Sequence, residues 1–276
     1  VTGQSHGQSR FKISGPSFNK DPIYIQATGH VVGVNRNFRE GSKRLKSRVQ
    51  MKGPSMSIDL QKKFVRIDGR GNMLIEDYKP PKAARASQAS SQQPKNPARA
   101  TPFGGASRNE PSQTYLGWAS TMHYQYESNI AQLSKDVQLV HRSGDQMKMA
   151  VEILGQREAA SLSEGRVATL DAQSLVVQFL RSSKDKQVGA GRLSGTEVQS
   201  FNASGQVYFV DSGISALAQQ ITFSRDDSVL QIIGSKDDPA QLFDERGDFR
   251  SMTGPRSEWD RRTNIVRAQN SYGRMN

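Results

Sequence analysis

Four times along the chain, a segment alternating apolar and polar residues runs into a short polar turn and out into a second such segment. The pairs are Met56–Leu60 with Phe64–Ile67, Met122–Tyr126 with Leu133–Leu139, Ile221–Phe223 with Val229–Ile233, and Glu258–Asp260 with Ile265–Ala268. Period-two alternation gives a strand one apolar and one polar face, and two such strands across a tight turn form a β-hairpin. Repetition of that unit predicts stacked hairpins building a long, groove-forming antiparallel sheet rather than a catalytic pocket. In Leu133–Val140 the residues Leu133, Val137 and Leu139 share a face, opposed by Ser134, Asp136 and Gln138. In Ser215–Ser224 the pattern places Leu217, Ile221 and Phe223 on one face with Gln219, opposite Ala218, Gln220 and Thr222. Helix is scarce: Gly155–Glu164 has some helical propensity, but it is short.

The chain divides into three parts. Residues 11–79 form a first block of hairpins, with turn signals at Gly41-Ser42, Gly53-Pro54, Lys62-Lys63 and Gly69-Arg70-Gly71. Residues 80–114 are dominated by Pro, Ala, Ser, Gln and Arg, a composition that cannot offset its ordering entropy and predicts a disordered insertion. Strand text resumes at Tyr115 and continues to residue 269. The insertion either separates two domains or is a loop within one continuous sheet, and the likeness of the units before and after it favours the loop. The ends, Val1–Arg10 and Asn270–Asn276, are expected to fray.

Composition narrows the field further. Only 34% of the 276 residues are hydrophobic, so the core is expected to be thin or divided, which suits stacked hairpins. The balance of 38 Lys plus Arg against 26 Asp plus Glu, formally +12, favours anionic partners such as nucleic acid or lipid phosphates. Cysteine is absent, which excludes disulfides and thiolate metal sites. No run approaches the roughly 20 apolar residues of a membrane helix. The chain opens at Val1 without a basic-then-apolar leader, as a processed product or an excised fragment would.

Two stretches carry a family resemblance. Trp118-Ala119-Ser120-Thr121-Met122-His123-Tyr124, a turn through Asn129, Ile130–Leu133 and then Ser134-Lys135-Asp136-Val137-Gln138-Leu139 resembles the OstA-like repeat of the lipopolysaccharide-transport proteins. The pattern recurs as Phe201–Phe209, Ala216–Phe223, Arg225–Ser228 and Val229–Gly234; it covers Trp118–Ile265 well and Met56–Ile75 more loosely. The resemblance implies an elongated antiparallel β-jellyroll, an open V whose two sheets enclose an apolar slot for lipopolysaccharide acyl chains in the periplasm. It also implies jellyrolls stacked edge to edge as a bridge to the outer membrane. The chain departs from a single family jellyroll in its length, its polar insertion and its positive charge.

A continuous apolar slot can hold lipid without any hydrogen-bond code, since each buried methylene gains roughly 0.8 kcal/mol. The candidates to line it are Val65, Ile67, Met73, Tyr124, Leu133, Val137, Leu139, Leu175, Val177, Phe179, Val207, Phe209, Leu217, Ile221, Phe223, Leu230 and Ile232. The alternative is that they close on each other as a dry sandwich core, because alternation fixes a face and not what the face touches. Arg44, Lys46 and Arg48 alternate with Leu45, Ser47 and Val49, so a strand here presents a basic row. The row could meet lipid phosphates or another anion, or it could protect an edge strand against aggregation. Lys62-Lys63 and Arg261-Arg262 sit in predicted turns, where charge is commonplace.

Enzymatic chemistry is hard to find. His6, His30, His123 and His141 lie far apart without metal-site spacing, and His123 is expected to point from a strand to solvent. Asp226-Asp227 falls in a predicted turn. Gly189–Gly195 lacks the Lys-Ser/Thr ending of a phosphate loop. A nucleic-acid platform would interleave aromatics with basic residues, whereas Tyr208, Phe209 and Phe223 sit among apolar ones. The reading is therefore an all-β, non-enzymatic lipid carrier or bridge of the envelope, without cofactor or transmembrane segment and with nucleic acid an unlikely partner. A structural or adhesive β-repeat protein, or a basic nucleic-acid-binding protein, is the alternative.

Overall fold

The computed structural model describes residues 11–12, 24–38, 45–78, 111–143, 166–180, 198–246, 250–269 and 272–275. Arg44, His6, Gly155–Glu164, Gly189–Gly195 and residues 80–110 of the insertion lie outside them. Every regular element among the described residues is a β-strand. In chain order they are β1 (Phe11–Lys12), β2 (Tyr24–Phe38), β3 (Leu45–Asp59), β4 (Phe64–Asp68), β5 (Gly71–Asp77) and β6 (Ser112–Trp118). There follow β7 (Thr121–Gln125), β8 (Ile130–Ser143), β9 (Arg166–Phe179), β10 (Val198–Asp211), β11 (Ile214–Ser224) and β12 (Val229–Ile233). The last are β13 (Ala240–Asp244), β14 (Arg250–Gly254), β15 (Arg256–Asp260), β16 (Ile265–Gln269) and β17 (Tyr272–Met275). Strand β6 begins at Ser112, so the sheet resumes three residues before Tyr115.

All pairings are antiparallel, and the chain runs as one meander of long strands bent near the middle. In β2, β3, β8, β9, β10 and β11 the strand continues through the bend. In β4/β5, β6/β7, β12/β13, β14/β15 and β16/β17 it is split there. Thus β3 pairs along one side with both β4 and β5, and β8 pairs with both β7 and β6. With the β4–β7 and β5–β6 ladders these strands close a ring of pairings. From β9 onward each long strand pairs with its predecessor and its successor, out to β15–β16 and β14–β17.

The bend has a local cause. Gly29, Gly69, Lys135, Asp136, Gly205 and Gln206 all have positive φ, between 48° and 97°, and they fall along the line where the strands turn. The ladder registers slip at the same place, between Ser134 and Val137 and between Ser204 and Val207 or Tyr208. Left-handed residues and bulges bend a strand and add an unpaired residue, so each long strand becomes two short ones in different layers. Main-chain bonds carry the ladder across the gap: Gly69 N–H donates to Ser120 O at 2.6 Å and Ser120 N–H to Ser134 O at 3.1 Å.

The first layer ends in the four hairpins that the alternation predicts, and their turns share one form. Leu60–Lys63, Tyr126–Asn129, Arg225–Ser228 and Arg261–Asn264 are each four residues long, with the fourth residue left-handed at φ 54°, 58°, 57° and 61°. Three of those fourth residues tie one strand to the next. The carbonyl of Lys63 accepts from Tyr126 N–H at 2.8 Å, that of Asn129 from Phe179 N–H at 2.9 Å, and that of Ser228 from Arg261 N–H at 3.0 Å. The second layer closes β10–β11 with the two-residue turn Ser212-Gly213, both at positive φ, as a tight hairpin requires.

The apolar faces of the two layers turn toward each other and form a single cluster. It runs from Ala27 and Val31 through Ile67, Met73, Leu116, Leu139, Leu170 and Phe209 to Leu242 and Trp259. Met56 of the first layer lies so close to Gly33 of the second that a Cβ there would stand 3.2 Å from its Cε. Full burial of each large apolar side chain contributes about 1.5–3 kcal/mol, and this interior is the main source of stability.

Candidate functional site

The interior gathers sixteen of the seventeen residues proposed to line an acyl-chain slot: Val65, Ile67, Met73, Tyr124, Leu133, Val137, Leu139, Leu175, Val177, Phe179, Val207, Phe209, Ile221, Phe223, Leu230 and Ile232 are 0–4% exposed. Leu217 is corrected: it is 43% exposed and lies on the outer face. Ile214 and Ala216 point inward before the bend and Ile221 and Phe223 after it, so the inward set changes from even to odd positions within β11. The bend shifts the parity by one, and one residue is enough to turn a side chain to the other face.

At the C-terminal end the two layers are joined across their tips. Arg261, in the last four-residue turn, pairs its Nη1 with Asp211 Oδ2 at 2.7 Å, and both side chains are buried. The Arg261 guanidinium lies 4.8 Å from the centre of the Trp259 ring and that of Arg246 lies 5.4 Å from it. Arg246 binds Asp244 through Nη2 at 2.7 Å and also donates to Asn264. The Asp244 hydrogen bond holds the Arg246 pKa above its usual value even though partial burial opposes it. Three turns from both layers thus share one seam. Local sequence marks Arg261 only as an ordinary turn charge, because its partner is fifty residues away.

A second polar anchor sits in the first layer. Asn129, buried and left-handed, donates from Nδ2 to Phe179 O at 2.7 Å and accepts from the Tyr124 hydroxyl. Tyr126 packs edge-on against Tyr124 with ring centres 5.3 Å apart, and burial pushes its phenol up to about 12.

The basic row divides. Arg44 lies outside the described residues; Lys46 is exposed, and Arg48 sits 3.5 Å from Glu76 Oε2 with Nη2 donating to Gln50 at 2.8 Å. Glu76 in turn accepts from Gln113 Nε2 at 3.0 Å. Burial raises the neighbouring Tyr78 phenol above its usual value, and the Glu76 charge adds to it. The edge-strand reading of this row is corrected: β3 is flanked by β2 on one side and by β4 and β5 on the other. Among the described residues β2 pairs on its other side with β1 only at Ala27 and Gln26, and it exposes Val32, Val34 and Phe38.

His123 lies on the outer side of β7 beside Phe64, and His141 is buried, with Nδ1 2.8 Å from Thr114 Oγ1. Among the described residues no group of three His, Asp or Glu could hold a metal ion, and no helix is long and apolar enough to cross a membrane. The fold and its interior define a two-layered, all-β protein of bent antiparallel strands. Neither the known family models nor the curated proteins contain a match to this chain.

Proposed function

We propose that the protein is a non-enzymatic carrier or bridge for lipid in the periplasm, holding the acyl chains of lipopolysaccharide between its two layers on the way to the outer membrane. One observation carries the reading: the apolar interior runs without a break through every long strand of the meander, from β2 to β15. The likeness of Trp118–Ile265 to OstA-like repeats supports the same cargo. An acyl chain of about a dozen methylenes would gain roughly 10 kcal/mol there, enough to offset the parting of several side-chain contacts. The layers must move apart to admit it, and the Arg261–Asp211 seam makes the N-terminal end, where Met51 and Met56 line the interior, the easier place to open. Along β2, where the described pairing with β1 covers only Gln26 and Ala27, strand addition by a neighbouring copy or a similar jellyroll would extend the sheet.

A second reading, a structural β-repeat protein, is favoured by the near-complete burial of the sixteen interior candidates, which leaves them packed on each other. Native mass spectrometry separates the two. The protein is incubated with intact lipopolysaccharide and with its deacylated saccharide. An adduct formed by the intact glycolipid alone supports the carrier; no adduct with either supports the scaffold.

A further inference from the structure

On the side of the second layer facing away from the interior, a groove of about 890 Å³ runs along the bend from His30 on β2 to Gln206 on β10. Its floor is the outward row Lys52, Asn72, Gly117, Gln138 and Asp171, contributed in turn by β3, β5, β6, β8 and β9. One wall is the line of bend residues, where Arg70, Asp136, Gln173 and Gln206 stand out from the sheet. Tyr115 forms the other wall and leans over Gly117, where a Cβ would stand 3.0 Å from its hydroxyl oxygen. The absent side chain at Gly117 deepens the floor and lets the phenol ring lie along it.

The chemistry of this groove is specific. It offers side-chain amides (Asn72, Gln138, Gln173, Gln206), two carboxylates (Asp136, Asp171), two cations (Lys52, Arg70) and an aromatic ring. Cations and carboxylates nearly balance, which disfavours a polyphosphate and spares a neutral ligand. The floor is the face of a sheet whose main-chain groups are spent on ladders, so recognition falls to side chains and a peptide strand cannot be added. Five strands spaced by about 4.8 Å give the row a length of roughly 19 Å, and each presents a hydrogen-bonding group or a gap. Paired donors and acceptors beside an aromatic platform suit a ligand with many hydroxyls and apolar ring faces.

We propose that this groove binds a neutral oligosaccharide, lying across the strands with one ring against Tyr115 and its hydroxyls on Asn72, Gln138 and Asp171. The groove opens on the face of the sheet turned away from the lipid-holding interior, with Val31, Trp118, Val137 and Ala172 at the bend bordering both, and the probes that test it carry no acyl chain, so either idea can fail alone. The test is binding of the whole protein to an array of immobilised neutral and anionic glycans, followed by calorimetry with the best soluble neutral oligosaccharide. The expected result is saturable binding to at least one neutral glycan, little changed by salt. It should weaken tenfold or more in Asn72→Ala/Gln138→Ala, with a melting curve close to the parent, and in Gly117→Val, whose side chain must displace the Tyr115 ring. Absence of neutral-glycan binding, binding that both variants retain, or retention confined to anionic glycans and abolished by salt would each overturn it.

Discussion

Arg261 and Asp211 meet across the tips of two layers, 2.7 Å apart and only 4% and 0% exposed. One comes from the turn after β15 and the other from the end of β10, so this pair measures how firmly the layers are held together. Removing one partner leaves an uncompensated buried charge, whereas removing both does not. Arg261→Leu should cost about 3–5 kcal/mol in urea unfolding, and Arg261→Leu combined with Asp211→Leu should recover most of that loss. A double variant no more stable than the single one would show that the seam depends on Trp259 and Arg246 instead.

The shared turn form makes a second prediction. Asn129 holds a left-handed backbone and two buried hydrogen bonds, so Asn129→Ala should cost about 2–4 kcal/mol. At the equivalent exposed position Lys63, replacement by Asn should leave stability within about 0.5 kcal/mol or raise it, because Asn tolerates left-handed φ better. Thermal unfolding of the two variants reads both effects.

The interior and the outer face should differ sharply. Phe209→Ala empties a fully buried site and should cost about 3–5 kcal/mol. Leu217→Ala, on the exposed side of the next strand, should change stability by about 0.5 kcal/mol or less. Chemical denaturation tests the face assignment directly.

Alkaline stability should carry a tyrosine signature. The Tyr126 pKa is raised to about 12, so its contribution is complete below the unfolded value of about 10 and is lost as pH rises from there through 12. Tyr126→Phe should flatten the fall in stability across that window, and a tyrosinate absorbance titration should lose one late-ionising group. An unchanged titration would place the late ionisation elsewhere.

Much of the fold was legible because the hairpins are regular. The pairs at Met56, Met122, Ile221 and Glu258 each break their alternation with a short polar turn, and every one is a hairpin. The shared face of Leu133, Val137 and Leu139 was legible too, since the two left-handed residues Lys135 and Asp136 keep the parity. In β11 the bend changes it, so alternation alone assigns Leu217 to the wrong face. The position of β3 inside the sheet depends on β2 and on β4/β5 pairing with it from both sides, which alternation does not record. The seam and the outer groove were invisible because they assemble residues far apart in the chain: Asp211 with Arg261, and Lys52 with Gln138 and Asp171.

Entry of lipid into the space between the layers can be read by crosslinking. A photo-reactive phenylalanine analogue placed at Phe179 or Phe223, both interior, and at Leu217, on the outer face, would report which side meets an acyl chain. If the interior holds acyl chains, crosslinks to intact lipopolysaccharide form at Phe179 and Phe223 but not at Leu217, with none to the deacylated saccharide at the two interior positions. Crosslinks at Leu217 alone, or at none of the three, would contradict it.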